Sequence, residues 1–208
     1  MPRLLLGTNN AGKSVELRRI LDGCGWELVT PADIGLQLEV EESGSTYEEN
    51  AIAKAVQYSH ASGLVALADD SGLEVDALDE RPGVQSARYA GPNATDGERV
   101  QKLLEEVREV PDQARSARFR AVIAIAAPGG RVETVEGVAE GRIARAPRGT
   151  NGFGYDPVFL LPERSLTMAE LPSQEKDAVS HRGIAARKAR AVLERWLREG
   201  AFKRPGHD

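Results

Sequence analysis

The stretch Arg3–Ser14, RLLLGTNNAGKS, decides the reading of the fold. Arg3 to Leu6, with three consecutive leucines, predicts a short buried strand, Gly7 to Asn10 a polar loop, and Ala11 onward a helix. Val15, Leu17, Ile20 and Leu21 recur at helical spacing until Gly23 and Gly25 break it. Strand, loop and helix start are the layout of a phosphate site. Backbone N–H groups freed at the helix start, the Lys13 ammonium and the side-chain amides of Asn9 and Asn10 can all turn toward negative oxygens. Gly7 to Ser14 also satisfies G-x-x-x-x-G-K-[ST] letter for letter, so a P-loop hydrolase or kinase that releases the γ-phosphate is one reading. A capped helix start with a solvent-facing Lys13 is the plainer one.

Outward from this stretch, Trp26 to Val29 reads as a second strand, and Pro31 opens a loop that runs into the acidic EVEESGST. Thr46 and Glu49 fit a capping box, and the helix it starts continues to about Ala61, where Gly63 ends it. Leu64 to Ala68 is an apolar run that predicts a buried strand stopping at Asp69 and Asp70, with Gly72 turning the chain into LEVDAL. After ERPGVQSARYAGPNATD, an amphipathic helix carries Val100, Leu103, Leu104 and Val107 on one face. Phe119 to Ala127 and Arg131 to Ala139, separated by Pro128-Gly129-Gly130, read as a hairpin. Gly149 to Asp156 is a glycine-rich loop, and Ser180 to Glu199 a closing helix rich in arginine. The fold expected is α/β: a long mixed β-sheet flanked by helices, in two lobes with a central cleft. A single catalytic domain spans residues 1–208, with 203–208 a loose tail.

Composition narrows the function classes. With 208 residues, 41% hydrophobic and 28% charged, the chain has the profile of an ordinary globular domain, and a chain of this length buries roughly 70% of its unfolded surface without needing a disulfide or structural metal. Lys and Arg number 27 against 32 Asp and Glu, a net charge of −5. That argues against a binder of nucleic-acid polymers, which needs a broad basic surface, and leaves room for one small anion in a local pocket. The single cysteine, Cys24, excludes an internal disulfide and a cysteine-based zinc site, which points to a reducing, cytoplasmic setting. Cys24 lies near the end of the first helix, where the dipole opposes a thiolate, so it reads as a packing residue. No apolar run approaches the roughly 20 residues of a membrane span, and no export signal is expected. Arginine outnumbers lysine, which fits either a GC-rich genome or a hot habitat.

Four carboxylates stand out. Glu41 and Glu42, and Asp69 and Asp70, are adjacent pairs on separate elements, a donor set suited to a hard divalent cation bridging to phosphate oxygens, with Mg2+ the natural choice. Taken alone, the glutamates also read as a solvated loop. The aspartates follow a buried strand and carry a desolvation cost unless a metal, a cation or a helix terminus compensates them. Asn50 and Lys54 share a helix face, so Lys54 can reach the same centre or lie on the surface. In GFGYDP, Gly152 to Pro157, glycines allow close backbone approach and two aromatics can stack on a base, or simply fill a turn. Lys176, His181 and Arg182 add cations and donors before and at the start of the last helix, or cap it beside a basic face.

Thr8, Asn10 and Lys13 form T-x-N-x-x-K, followed in order by EESGSTYEENAIAKA, ADDSGLEVDAL, PGVQSARYAG, GFGYDPVF and SHRG. With these motifs the chain resembles the noncanonical purine nucleoside triphosphate pyrophosphatases, the inosine triphosphatase-like or Ham1-like family, from about residue 3 to about residue 197. On that resemblance the P-loop match is coincidental. The resemblance implies a hydrolase acting on phosphoric anhydrides, a dITP/XTP pyrophosphatase that converts ITP, dITP or XTP to the monophosphate and pyrophosphate and so clears them from the nucleotide pool. It implies Asp70 as proton acceptor and metal ligand, Glu41 as a second ligand, and supporting places for Glu42, Lys54 and Asp69. Substrate contacts fall to Thr8, Asn9, Asn10, Ala11, Gly12, Lys13, Ser71, Phe153, Gly154, Tyr155, Asp156, Lys176, His181 and Arg182, with Phe153 stacking on the purine. A homodimer is expected.

Base choice has a physical rationale on this reading. Donors from His181 and Arg182 pair with the 6-oxo group of hypoxanthine or xanthine but meet another donor on adenine, and an unpaired buried donor costs about 1 to 3 kcal/mol. Guanine shares the 6-oxo group, so its exclusion needs a separate barrier at the 2-amino position. Two other readings make different forecasts. A P-loop enzyme needs Ser14 as a metal ligand and releases orthophosphate or transfers phosphoryl, and a non-catalytic nucleotide sensor binds ITP without turnover.

Overall fold

The computed structural model describes residues 1–200, so the expected loose tail at 203–208 lies outside the described residues. The elements in chain order are β1 (Arg3–Leu6), α1 (Ala11–Leu21), β2 (Glu27–Val29), α2 (Tyr47–Ser62), β3 (Val65–Val75), α3 (Asp96–Glu106), β4 (Ser116–Ala126), β5 (Val132–Ile143), β6 (Phe159–Leu161), β7 (Leu166–Thr167), α4 (Ser173–Val179) and α5 (His181–Glu199). Among the described residues the strands form one sheet of seven, ordered β2-β1-β3-β4-β5-β6-β7. The pairs β1–β2 and β1–β3 are parallel, and β5–β6 and β6–β7 antiparallel, so the sheet is mixed as expected.

The chain divides into two compact units. The first comprises residues 1–70, 121–137 and 182 onward. Strands alternate their side chains between faces. Leu4, Leu6, Val65 and Leu67 therefore join Leu17 and Leu21 of α1 and Ala185, Ala189, Leu193 and Trp196 of α5 in one core. Leu5 and Ala66 point the other way, into a second cluster with Val29 and Tyr58 of α2. Covering both faces explains why β1 and the first half of β3 read as unbroken apolar runs. Trp196 is fully buried, a burial that contributes roughly 1.5–3 kcal/mol for a large apolar side chain.

The second unit, residues 71–120 and 138–181, has its own core. Leu73 and Val75 of β3, Leu103 and Val107, and Phe119 of β4 pack with Tyr155, Phe159, Met168 and Leu171.

Three elements depart from expectation. β3 does not stop at the aspartates but runs on through Gly72 to Val75, and Asp69 and Asp70 are only 2% and 5% exposed. The hairpin strands extend beyond the expected bounds, to Ser116 and to Ile143. The segment before the closing helix forms a helix of its own, α4, and α5 starts at His181. The capping box at Thr46 and Glu49 is present in full, with Gly63 left-handed at the helix end.

Candidate active site

In the first unit β1 ends where Gly7 N–H donates to Leu67 O at 2.7 Å. A side chain at Gly7 would place its Cβ 2.6 Å from the Tyr58 ring, so glycine is needed there for packing. Asn10 is the N-cap of α1, its Oδ1 accepting from Lys13 N–H at 3.0 Å, and Thr8 Oγ1 accepts from Asn10 N–H at 3.1 Å. The Asn9 amide donates to Leu38 O at 3.0 Å. The Asn9 amide N–H is thus spent on the loop, while Asn10 caps the helix through its oxygen. The N–H groups of Ala11 and Gly12, in the first turn, have no acceptor among the described residues. Gly12 sits inside α1, so the second glycine of the P-loop pattern is not a loop glycine here.

Asp69 and Asp70 are consecutive in β3 and therefore face opposite sides of it. On one side Asp69 Oδ2 meets Lys13 Nζ at 3.2 Å and accepts from Arg182 Nε and Nη2, both at 3.1 Å. Arg182 Nη1 donates to Glu16 Oε2 at 2.8 Å. All three of Asp69, Arg182 and Glu16 are buried. Burial by itself raises the Asp69 carboxyl, but the Lys13 and Arg182 charges outweigh it and hold Asp69 well below the usual carboxylate range. Burial depresses Lys13, with Asp69 opposing. Burial would lower Arg182 too, and Asp69 and Glu16 more than offset that.

On the other side Lys54 Nζ lies 3.1 Å from Asp70 Oδ1 and 2.8 Å from Glu42 Oε1. Asn50, one helical turn before Lys54, donates from Nδ2 to Asp70 Oδ2 at 3.1 Å, and its Oδ1 accepts from Gly44 N–H at 2.8 Å. A Cβ at Gly44 would sit 2.6 Å from that oxygen. Burial pushes the Asp70 carboxyl up; Lys54, Lys13 and Asn50 pull it down and Glu42 adds to the rise, leaving it above the ordinary aspartate value. Burial disfavours the Lys54 ammonium, yet Asp70, Asp69 and Glu42 hold it above its usual value. Glu42 thus joins the centre directly, while Glu41 is exposed on the same strap. Among the described residues no three of His, Cys, Asp and Glu come together as a ready-made cage. Glu42 and Asp70 nonetheless offer hard oxygen donors of the kind magnesium takes, one or two carboxylates with substrate phosphates supplying the rest.

In the second unit Phe153 is half-buried between Gly152 and Gly154, and Lys176 Nζ lies 5.0 Å from the centre of its ring. Lys176 also pairs with Asp156 Oδ2 at 2.5 Å, and the same oxygen accepts from Phe153 N–H at 2.9 Å. Gly152 is left-handed, and a Cβ there would strike Asp156 Oδ2 at 2.1 Å. Tyr155 is buried, its hydroxyl donating to Ser86 O at 2.9 Å. His181 is buried and stacks on Phe119 with ring centres 4.6 Å apart. Ser71, next to Asp70, is partly exposed. The expected base-pocket residues Phe153, Gly154, Tyr155, Asp156, Lys176 and His181 thus belong to one unit. Arg182, expected beside His181 at the base, belongs to the other and directs its donors to Glu16 and Asp69.

Glu16 escaped the sequence reading. The periodicity places Val15 on the apolar face of α1, whereas Val15 is 59% exposed and Glu16 is buried against Arg182. The signal available was the i, i+3 spacing of Lys13 and Glu16, two charges one turn apart beside Leu17.

Paired carboxylates on a central strand, with a lysine at the start of the helix that follows a parallel strand, make this an α/β protein with a charged centre of the kind a phosphorylated ligand can use. The chain belongs to the Ham1 family, whose model matches residues 4–192. It is 48% identical over 194 residues to the dITP/XTP pyrophosphatase of Bacillus licheniformis, covering 93% of this chain and 99% of that protein. With the dITP/XTP pyrophosphatase of Geobacter sulfurreducens it shares 52% identity over 185 residues, 89% of this chain and 93% of the relative. The solved structure of a HAM1 protein from Coxiella burnetii superposes with a TM-score of 0.85 at 45% identity, over 94% of this chain and 100% of that one. The Staphylococcus aureus Ham1 protein gives 0.82 at 38% identity, over 92% and 98%.

Proposed function

We propose that this chain is a nucleoside triphosphate pyrophosphatase that hydrolyses ITP, dITP and XTP to the monophosphate and pyrophosphate, clearing noncanonical purines from the nucleotide pool. The observation that carries the reading is the pair of opposed charge clusters on β3, Asp69 with Lys13 and Asp70 with Lys54, at the open N-terminus of α1 in a Ham1 chain. Lys13 and the N–H groups of Ala11 and Gly12, with Thr8, Asn9 and Asn10 shaping the loop, hold the polyphosphate. Asp70 takes a proton from the attacking water at a carboxylate oxygen, as the new bond forms to the α-phosphorus and pyrophosphate leaves with the electron pair of the broken anhydride bond. Asn50 and Lys54 hold that carboxylate in place and keep a share of it ionised. Magnesium, held by Asp70 with Glu41 and Glu42, supplies charge screening at the phosphate oxygens when bound. Phe153 stacks on the purine, and Gly154, Tyr155, Asp156, Lys176 and His181 shape and line the base pocket, with Ser71 touching the substrate. Arg182 serves through Asp69 as a positioning residue.

The chain acts as a single catalytic domain over residues 1–208, in the cytoplasm, as a homodimer. The reading is tested by product analysis on ITP, dITP, XTP, GTP and ATP with magnesium. Pyrophosphate and monophosphate from the first three, with little turnover of the last two, is the expected outcome. Orthophosphate as first product, or tight ITP binding without turnover, would overturn it.

A further inference from the structure

Phe153 sits between two glycines of left-handed backbone, Gly152 (φ 76°) and Gly154 (φ 63°). A ring carried this way has slack on both sides unless the N–H groups around it are held. Two carboxylates hold them. Asp156, fixed by Lys176, accepts from Phe153 N–H. The next N–H along, that of Gly154, donates to Asp96 Oδ2 at 2.7 Å across 58 residues of sequence. Asp96 is the first residue of α3 and is itself braced. Its other oxygen pairs with Arg99, whose guanidinium donates to Ala94 O at 2.6 Å and Ala87 O at 2.8 Å.

We propose that Asp96 is a positioning residue for base recognition: by holding the Gly154 N–H it fixes the plane of Phe153, and so sets affinity for the purine without touching it. The proposal rests on the reading that Phe153 stacks on the base. A hydrogen bond to a carboxylate is the stronger kind, and this one holds the N–H that follows the one held by Asp156. An acid in the first turn also favours the helix, but Glu98 serves that role in the same turn and a purely helical contribution would appear in stability and not in base-dependent affinity.

The test compares KM and kcat for ITP in the parent chain, Asp96→Ala, Phe153→Ala and the double variant, with inhibition by inorganic tripolyphosphate as a base-free probe. Asp96→Ala should raise KM about 5- to 20-fold with kcat within about threefold, the range expected for loss of one charge-assisted hydrogen bond at a half-exposed site. The factor should fall close to one in the Phe153→Ala background, and tripolyphosphate inhibition should not change. Asp96→Asn, which keeps an acceptor oxygen, should recover most of the affinity. If Asp96→Ala is poorly folded, Asp96→Ser keeps a good helix-start residue with a side chain one bond shorter and should show the same KM effect. An unchanged KM, or an equal factor in both backgrounds, would overturn the proposal. If Phe153→Ala itself left KM unchanged, the stacking reading would fall with it; if Phe153→Ala raised KM and Asp96→Ala did not, Asp96 alone would be acquitted of the role.

Discussion

The carboxylate centre and the aromatic loop solve the same problem, holding a few side chains in place, by opposite means. Around Asp69 and Asp70 the groups stand on β3, α1, α2 and α5, and each charge is buried against its partners. Around Phe153 the backbone is a run of glycine turns, and hydrogen bonds to Asp156 and Asp96 do the holding. The first region is fixed by structure that cannot relax without exposing charge. The second is held by individual hydrogen bonds to a glycine-flanked backbone, so losing one of them moves the ring without unfolding the chain. The difference teaches that chemistry and selectivity should fail differently when damaged.

The largest expected effect is on chemistry. Asp70→Asn removes the proton acceptor and turns one oxygen into an amide donor facing Asn50 or Lys54, so kcat for ITP should fall by about 10²- to 10⁴-fold while stability drops by only about 1–3 kcal/mol, leaving the chain folded at assay temperature. A fall below tenfold would move the acceptor elsewhere. Next comes stability. Arg182→Met strands Asp69 and Glu16 as buried acids with one cation fewer, and should cost about 3–5 kcal/mol in urea denaturation at neutral pH. Asp69 is held below its unfolded value, so the stability its ion pairs contribute is present above roughly pH 4 and is lost as pH falls toward the folded value. That acid-dependent share should shrink in Arg182→Met, and a stability profile parallel to the parent's would contradict the assigned network.

A smaller effect is expected on the loop side. Phe153→Ala should raise KM for ITP by an amount equivalent to about 1–3 kcal/mol of stacking, with little change in melting temperature. A large stability loss instead would make Phe153 a core residue. The subtlest concerns pH. Asp70 must be ionised to act or to take a metal, and burial raises its pKa in the metal-free chain, so at magnesium well below saturation kcat/KM should fall on the acid side at a pH above the ordinary aspartate range. Lys54 lowers that pKa, so Lys54→Met should move the acid limb to higher pH; a shift to lower pH would show that Lys54 faces some other group.

Much of the fold is legible from the sequence because it depends on local rules. The strand, loop and helix of the first 21 residues follow from the apolar run, the polar break and the helical spacing after it, and α2 is framed by a capping box and Gly63. What escapes depends on partners distant in sequence. Two adjacent aspartates look like the end of a strand, because a lone chain does not show that Lys13, Lys54 and Arg182 converge on them; with those cations in place the strand continues to Val75. Glu16 is hidden for the same reason, since Arg182, which pairs with it where it is buried, lies far along the chain. The motif at GFGYDP is visible, but the brace supplied by Asp96 is separated from it by 58 residues.

The account stands on water being directed at the α-phosphorus beside Asp70. Hydrolysis of ITP in ¹⁸O-labelled water, followed by mass analysis of both products, measures that directly. The label should appear in the monophosphate and not in pyrophosphate. Label in pyrophosphate, or release of labelled orthophosphate with IDP, would contradict it.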